Sequence, residues 1–410
     1  MTIADLQKTL ATRTADDPQA AVAIVDALLA ASVAAGASDL HLLPTADGLS
    51  MSWRIDGVLQ PLGVVPKGLA GNVVTRLKVL ARLLTYRTNV PQEGRIAATN
   101  GSVEVRISTF PTLFGEKVVA RNLPRGEQPL ARIADLGLPV EVSQSLREAL
   151  SQTSGALIIA GPAGSGKTTT AYSCLREIID VSRGQRSIAS LEDPVEVVVE
   201  GIAQSQVTEA AGFDLLTGLR SLVRQDPEVI FIGEIRDAEA AAVALQAALT
   251  GQLLITTFHA TDAAVALSRL SEMGIPPYAV RSAVRTVVAQ RLVRRLCCCA
   301  EPLSSHASAA FDFDTLGLSA AGAKQAVGCE ACRNTGYAGR TAIAEVLDLQ
   351  SPSIAEAIFT RSDATALRQV ASASGMIGLL PRAAKLVSEG VTSVEEIMRV
   401  FGIPAFLRGK

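Results

Sequence analysis

Residues 18–36 repeat Ala, Val and Leu at helical spacing and end near Gly36, which predicts one amphipathic helix. Apolar and polar residues then alternate. Residues 39–64 and 95–123 read as strands, with Asp56-Gly57 inside MSWRIDGVLQPL as a hairpin turn. Between the two stranded stretches, Leu77 to Leu84 reads as a helix. Pro124, Gly126 and Pro129 stand close together, so residues 124–136 read as a linker. From residue 155 the rhythm changes. Four short apolar runs, Ala156–Ala160, Ile188–Leu191, Val229–Ile232 and Leu253–Thr257, alternate with helical stretches. Strands without a polar face, separated by helices, predict a parallel sheet covered by helices. Residues 297–344 break that rhythm with Cys and Gly. From Ile354 onward the chain reads as helical, and Ser393-Val394-Glu395-Glu396 has the capping-box pattern.

The 410 residues suffice for two or three domains, and 48% hydrophobic against 19% charged residues is ordinary globular composition. Basic and acidic residues nearly balance, 38 against 40, so no basic excess is available to grip a nucleic-acid backbone. The start, MTIADLQKTL, has no apolar core of a secretory signal. The most apolar stretch, Ala20 to Ala37, is broken by Asp26, and no run reaches the ~18 apolar residues of a membrane span. A cytoplasmic protein is expected. Five of the six cysteines, Cys297, Cys298, Cys299, Cys329 and Cys332, crowd together, whereas Cys174 stands alone. In a reducing compartment such a cluster reads as metal binding before disulfides.

One motif states its chemistry directly. Gly161-Pro162-Ala163-Gly164-Ser165-Gly166-Lys167-Thr168, with Thr169 behind it, follows an apolar strand and precedes a helix-forming stretch. That is the phosphate-binding loop in its required context. Its backbone N–H groups would cradle phosphates, Lys167 would reach the β- and γ-phosphates of ATP, and the Thr168 hydroxyl would hold Mg²⁺. Glu192 and Glu234 each end an apolar strand, where a carboxylate can face metal or water. Gly233 stands where the common aspartate of such strands would be. His259 likewise follows a strand.

Around the loop stand LEDPVE (191–196), RQDPEVIFIGEIRD (224–237) and TGQLLITTFHATDA (250–263). ASDLHLLP (37–44), RIDGVLQPL (54–62), PQEGRI (91–96) and RISTFPTLFGEKVVARNL (106–123) precede it, and GCEACRNTGYAGRTAIAEV (328–346) follows. Together these blocks resemble the secretion ATPases of type II secretion and type IV pilus assembly, from about residue 37 to the C-terminus. The resemblance implies an α/β fold: a RecA-like P-loop ATPase domain at 137–410. It also implies an N-terminal α+β, PAS-like domain at 37–123 after a short helical segment, 1–36. A cysteine-rich metal module at 297–344 would interrupt the ATPase domain, with a helical C-terminus at 350–410. Larger family members carry a further N-terminal domain that docks on an inner-membrane partner, and residues 1–36 stand in its place.

The resemblance makes Glu192 the general base and Glu234 the organiser of Mg²⁺ or water, although the residues alone allow the roles to be exchanged. It makes His259 a sensor of the γ-phosphate. Arg106, Arg121, Arg220 and Arg340 match arginines that serve the nucleotide. Gln252 stands where the family usually has His; it cannot titrate but can hydrogen-bond a phosphate. Asp39 and His41 read as local structure holding a turn. The family's second cysteine would align with Ala300, so the first half of the metal site is irregular. Cys297 and Cys299, spaced to point the same way, are expected to join Cys329 and Cys332 around Zn²⁺, leaving Cys298 free. The expected activity is ATP hydrolysis by a homo-hexameric motor working on inner-membrane secretion or pilus proteins, without nucleic acid. A zinc-module nucleic-acid binder is the alternative from another class, and a DNA-uptake pilus motor the alternative within the family. A retraction motor of the same superfamily would lack Cys329-x-x-Cys332.

Overall fold

A computed structural model describes residues 17–97, 103–123, 132–304, 313 and 319–402. The chain divides into two compact units, residues 1–128 and 129–410.

Among the described residues the first unit is a six-stranded antiparallel sheet with two helices on one face. Helix α1 (Ala20–Ala34) leads into β1 (Asp39–Pro44), β2 (Gly48–Ile55) and β3 (Val58–Pro66). Helix α2 (Lys67–Leu80), β4 (Gln92–Ile96), β5 (Glu104–Thr112) and β6 (Gly115–Leu123) follow. The spatial order is β3-β2-β1-β6-β5-β4. Asp56 and Gly57 form the β2–β3 turn, both at positive φ, and Ile55 pairs with Val58. Alternation along the strands sends Leu40, Leu42, Met51, Trp53, Ile107 and Val118 to the helix-covered face. Ile24, Leu28, Val73 and Leu77 meet them from α1 and α2. Helix α1 therefore shares one core with the sheet that follows it.

The helix expected at Leu77 to Leu84 starts ten residues earlier and stops at Leu80. Leu69, Val73, Val74 and Leu77 form its buried stripe, which Gly68 and Gly71 obscure by their low propensity. It ends before Arg82, which takes a left-handed conformation. Residues 124–131 of the expected linker lie outside the described residues. Its remainder is structured, since Ile133–Leu136 form a 3₁₀ turn and Ile133 is buried in the second unit.

The second unit is a seven-stranded sheet between helical layers. After α3 (Val140–Leu150) come β7 (Gly155–Ala160), α4 (Lys167–Ser182), β8 (Ile188–Glu192) and β9 (Ala203–Gln206). Next are α5 (Leu215–Leu222), β10 (Val229–Ile232), α6 (Ala238–Thr250), β11 (Leu253–Phe258), α7 (Ala263–Glu272) and α8 (Pro277–Ala283). The long β12 (Val284–Leu296) and β15 (Tyr337–Asp348) bracket the small strands β13 (Glu301–Pro302) and β14 (Lys324–Gln325). Four helices close the chain: α9 (Pro352–Phe359), α10 (Ala364–Ala373), α11 (Leu379–Ser388) and α12 (Val394–Phe401). The order is β15-β12-β7-β11-β10-β8-β9, parallel throughout except for antiparallel β15. All residues of β7, β10 and β11 are buried. Ala156, Ile158, Ile230 and Leu254 pack under α6–α8, and Leu157, Ile159, Phe231 and Ile255 under α3 and α4. This two-sided burial is why those strands read as unbroken apolar runs.

Strand β12 serves two sets of contacts along its length. Val284 to Ala289 pair with β7, while the rest projects past the sheet edge, paired only with β15. The cysteine-rich segment hangs from the end of this ribbon. Residues from Tyr337 onward form β15, running first along the projecting ribbon opposite Leu296 to Gln290 and then, from Glu345, beside the part of β12 that joins β7. Helices α11 and α12 pack on the ribbon through Ala383, Val387, Val394 and Ile397. Ser393 caps α12, but Glu396 does not reciprocate the capping bond. It is fully buried and takes Arg294 and Arg399 instead, locking α12 to β12. Two guanidiniums outbid one backbone N–H for a buried carboxylate.

Candidate functional site

The carboxyl ends of parallel strands are where α/β sheets bind ligands. Here β7, β11, β10 and β8 lie side by side and end in the phosphate loop, His259, Gly233-Glu234 and Glu192 respectively. Four elements far apart in sequence thus present their candidate residues along one edge.

The loop runs from Gly161 to Gly166 and opens α4. A Cβ at Gly161 would lie 2.4 Å from Ser165 Oγ and 2.5 Å from the Gln290 carbonyl, so only glycine fits. Lys167 donates to the carbonyls of Gly161 at 2.9 Å and Pro162 at 3.0 Å. Burial lowers its pKa, while Glu234 and Glu196 oppose that shift. Ser165 Oγ is buried without a partner. A glycine-lined cradle, an unpartnered hydroxyl and an inward-bent ammonium at a helix N-terminus fit a polyphosphate. Thr168 follows at the first turn of α4, half-buried, with Thr169 exposed.

Glu234 is one-fifth exposed, 3.2 Å from His259 Nε2 and 3.1 Å from Arg236 Nε. Burial lowers the pKa of His259, and the Lys167 charge adds to this against the pull of Glu234. The pair and Lys167 therefore form one electrostatic group. Glu192 is 3% exposed and engaged by side chains alone: Tyr172 Oη, Ser190 Oγ at 2.6 Å and Gln204 Nε2 at 3.0 Å. Gly233 explains itself here. A Cβ at that position would come within 3.3 Å of the Glu192 Cα, so the usual aspartate would push on the Glu192 backbone by a few tenths of an ångström.

The arginines are distributed. Arg106 and Arg121 are cross-strand neighbours on β5 and β6, on the sheet face away from α1 and α2. Arg106 is paired with Glu93, and Arg121 donates to Asp39 at 2.7 Å. Asp39 is thus an ion-pair hub, also 3.8 Å from Arg54, rather than the holder of a turn. His41 has its pKa lowered by burial and then by Arg54. Arg220 lies 3.7 Å from Glu239 on α6 and is exposed. Arg340 is exposed on β15, opposite Arg294. Gln252 stands at the amino end of β11, a strand length of about 20 Å from the loop. It accepts a hydrogen bond from Thr250 at 3.2 Å, so it is not a phosphate contact. His306 lies outside the described residues.

Two polar residues were not singled out in the sequence. Gln290 on β12 is 2% exposed; its side chain accepts from Thr170 Oγ1 at 2.9 Å and donates to the Ser165 carbonyl at 2.8 Å. It buttresses the phosphate loop from a strand more than a hundred residues away. Tyr172 on α4 meets Glu192. Neither belongs to a local motif, and their apolar surroundings disguise them as core positions.

The thiols of Cys297, Cys299, Cys329 and Cys332 all lie within 4.8 Å of one another. Sγ atoms are 3.8 Å apart for Cys297 and Cys329, and 3.9 Å for Cys299 and Cys332. Four thiolates around a tetrahedral zinc with ~2.3 Å bonds stand ~3.8 Å apart. The set could therefore hold a metal, with Cys298 exposed and outside it. Burial works against the Cys332 thiolate, yet N–H donors of Cys329 and Gly336 hold its pKa down to about 6. A deprotonated thiol is what a metal requires.

The type II/IV secretion system protein family matches residues 14–399, nearly the whole chain. The chain belongs to this family. It is 36% identical to the type II secretion system ATPase E of Vibrio cholerae, over 94% of this chain and 76% of that one. It is 38% identical to the type IV pilus assembly ATPase PilB of Thermus thermophilus over 93% of its length, which spans 43% of that larger protein. Among solved structures, the pilus retraction motor PilT with bound ADP aligns at TM-score 0.60 and 24% identity, covering 92% of this chain and 96% of its own. The Yersinia pseudotuberculosis ATPase DotB aligns at 0.66 and 21%, covering 93% and 94%. Both likenesses concern the fold. The secretion-family match spans the phosphate loop, both glutamate strands and the cysteine segment.

Proposed function

We propose that this chain is an ATPase motor that hydrolyses ATP to drive pseudopilus or pilus assembly in a type II secretion or type IV pilus system. The observation that carries this reading is the convergence of the phosphate loop, Glu192, Glu234 and His259 on one sheet edge in a chain of the secretion family. Lys167 binds the β- and γ-phosphates. Glu192 takes the proton of the attacking water, and His259, held by Glu234, faces the γ-phosphate. Magnesium would be held by Thr168 and Glu234 and neutralises phosphate charge when bound. Arg106 and Arg121 supply further cationic charge to the phosphates. Arg121 is well exposed beside Asp39, and Asp39 keeps Arg54 at 3.8 Å when Arg121 turns to a phosphate. Arg220 and Arg340 are assigned the same duty on the ATPase side. Ring assembly as a hexamer, attachment to inner-membrane platform proteins and a cytoplasmic location complete the reading. Among the described residues no helix is long and apolar enough to cross a membrane.

The test is phosphate release from ATP with magnesium and no nucleic acid. Turnover under these conditions supports the motor; turnover only with DNA or RNA overturns it. Arg106→Ala and Arg121→Ala should each lower kcat about tenfold or more with nucleotide binding little changed. Normal turnover in both variants, with assembly unchanged, would remove them from the mechanism.

The cysteine quartet is proposed to hold Zn²⁺. Elemental analysis of protein purified without chelator should find about one zinc per chain. The zinc should be lost in Cys332→Ser and kept in Cys298→Ser. Metal loss should spare the ATPase core, which is packed by its own helices.

A further inference from the structure

Tyr172 is a buried tyrosine in the middle of α4, five residues after Lys167 and 2% exposed. Its ring meets Phe231 of β10 edge-on, with centroids 5.8 Å apart. Packing alone would be served as well by phenylalanine. A buried phenol needs a partner for its hydroxyl, and the partner here is Glu192. The Tyr172 hydroxyl donates to Glu192 Oε2 and accepts the Glu196 N–H at 3.2 Å. Burial, and then Glu192 itself, push the phenol pKa far up, so it stays protonated and remains a donor.

The other carboxylate oxygen, Oε1, accepts from Ser190 Oγ and Gln204 Nε2. Gln204 in turn accepts the Val199 N–H at 2.7 Å and donates to the Val197 carbonyl at 3.0 Å. A carboxylate offers about four lone-pair sites. Three of them are committed to fixed donors, so the carboxylate has one orientation and one free direction. The segment after β8 is wrapped around the same phenol. Tyr172 thus ties the helix that begins with Lys167 to the carboxylate at the tip of β8.

We infer that Tyr172 is a positioning residue for Glu192, holding its carboxylate in register with the nucleotide through the phosphate-loop helix. This rests on the proposed role of Glu192 as the group that acts on water. Substrate contacts of Lys167 and Thr168 do not pass through the phenol. Removing its hydroxyl should therefore act on the chemical step and leave binding alone.

The experiment is a double-mutant cycle on the full chain with Tyr172→Phe and Glu192→Gln. It is read by kcat, by equilibrium binding of a fluorescent ATP analogue with magnesium, and by thermal unfolding. Phenylalanine keeps the ring against Phe231. Ser190→Ala, which removes another donor to Glu192, is the second variant if Tyr172→Phe unfolds. Tyr172→Phe should lower kcat about tenfold or more, with nucleotide affinity within about twofold. Placed on Glu192→Gln it should add nothing further, because both changes act through one carboxylate. Full turnover in Glu192→Gln would overturn the underlying role of Glu192. A dead Glu192→Gln with Tyr172→Phe at wild-type kcat would overturn the inference alone. So would a Tyr172→Phe loss that persists undiminished in the Glu192→Gln background, since that marks a purely structural effect.

Discussion

Lys167→Ala should abolish ATP turnover while leaving a folded protein. In the wild type the Lys167 ammonium spans the loop it belongs to, donating to the Gly161 and Pro162 carbonyls. Loss of this cation removes both the loop's internal clamp and the charge meant for the γ-phosphate. Electrostatic groups of this kind are worth about a hundredfold or more in rate. Its two direct partners are neutral carbonyls, and Glu234, the nearby carboxylate that acts on it, keeps His259 and Arg236 as partners. Far-ultraviolet circular dichroism and the thermal midpoint should therefore stay near wild type. A variant that keeps more than about a tenth of the wild-type rate would refute the assignment of the phosphate loop.

Glu192→Gln and Glu234→Gln should fail in different ways, and the difference follows from their surroundings. Glu192 is enclosed by Tyr172, Ser190 and Gln204, with no cation in direct contact. Its amide replacement should bind nucleotide normally yet turn over about a hundredfold more slowly, as the loss of a general base demands. Glu234 is instead linked to His259 and Arg236 and acts electrostatically on Lys167. Neutralising it should weaken magnesium-dependent nucleotide binding as well as turnover. Binding isotherms with and without magnesium, beside single-turnover rates, separate the two. If Glu234→Gln binds normally and Glu192→Gln keeps full turnover, the roles are exchanged. The contact between Gly233 and the Glu192 backbone makes the two strand tips mechanically adjacent, so Gly233→Asp should impair both functions together.

Trp53 offers no simple optical readout of these events. It is 2% exposed, packed in the core of the first unit under α1 and α2. Its emission should follow unfolding of that unit.

Much of this protein is determined by local sequence. Strands β7, β10 and β11 are buried on both faces, so each reads as a short, mostly apolar run. The phosphate loop is a contiguous segment whose backbone does the binding, and its glycines declare the geometry. The Asp56-Gly57 hairpin and the helix at Ala20–Ala34 are likewise short-range. What tertiary structure alone decided concerns partners brought together across the sheet. Parallel strand order placed Glu192, Glu234 and His259 along one edge and left Gln252 at the opposite one. Parallel pairing of β12 with β7 carried Gln290 under the loop, and its antiparallel pairing with β15 brought Cys297 toward Cys332. The four thiols converge despite the irregular first pair because Leu296 bridges to Tyr337 at the ribbon's end. The capping pattern at Ser393 read true for the serine and false for Glu396, which turns to Arg294 across on β12 as well as to Arg399 one turn along its own helix. A side chain's strongest partner is chosen by burial and charge, and both are properties of the assembled core rather than of neighbours along the chain.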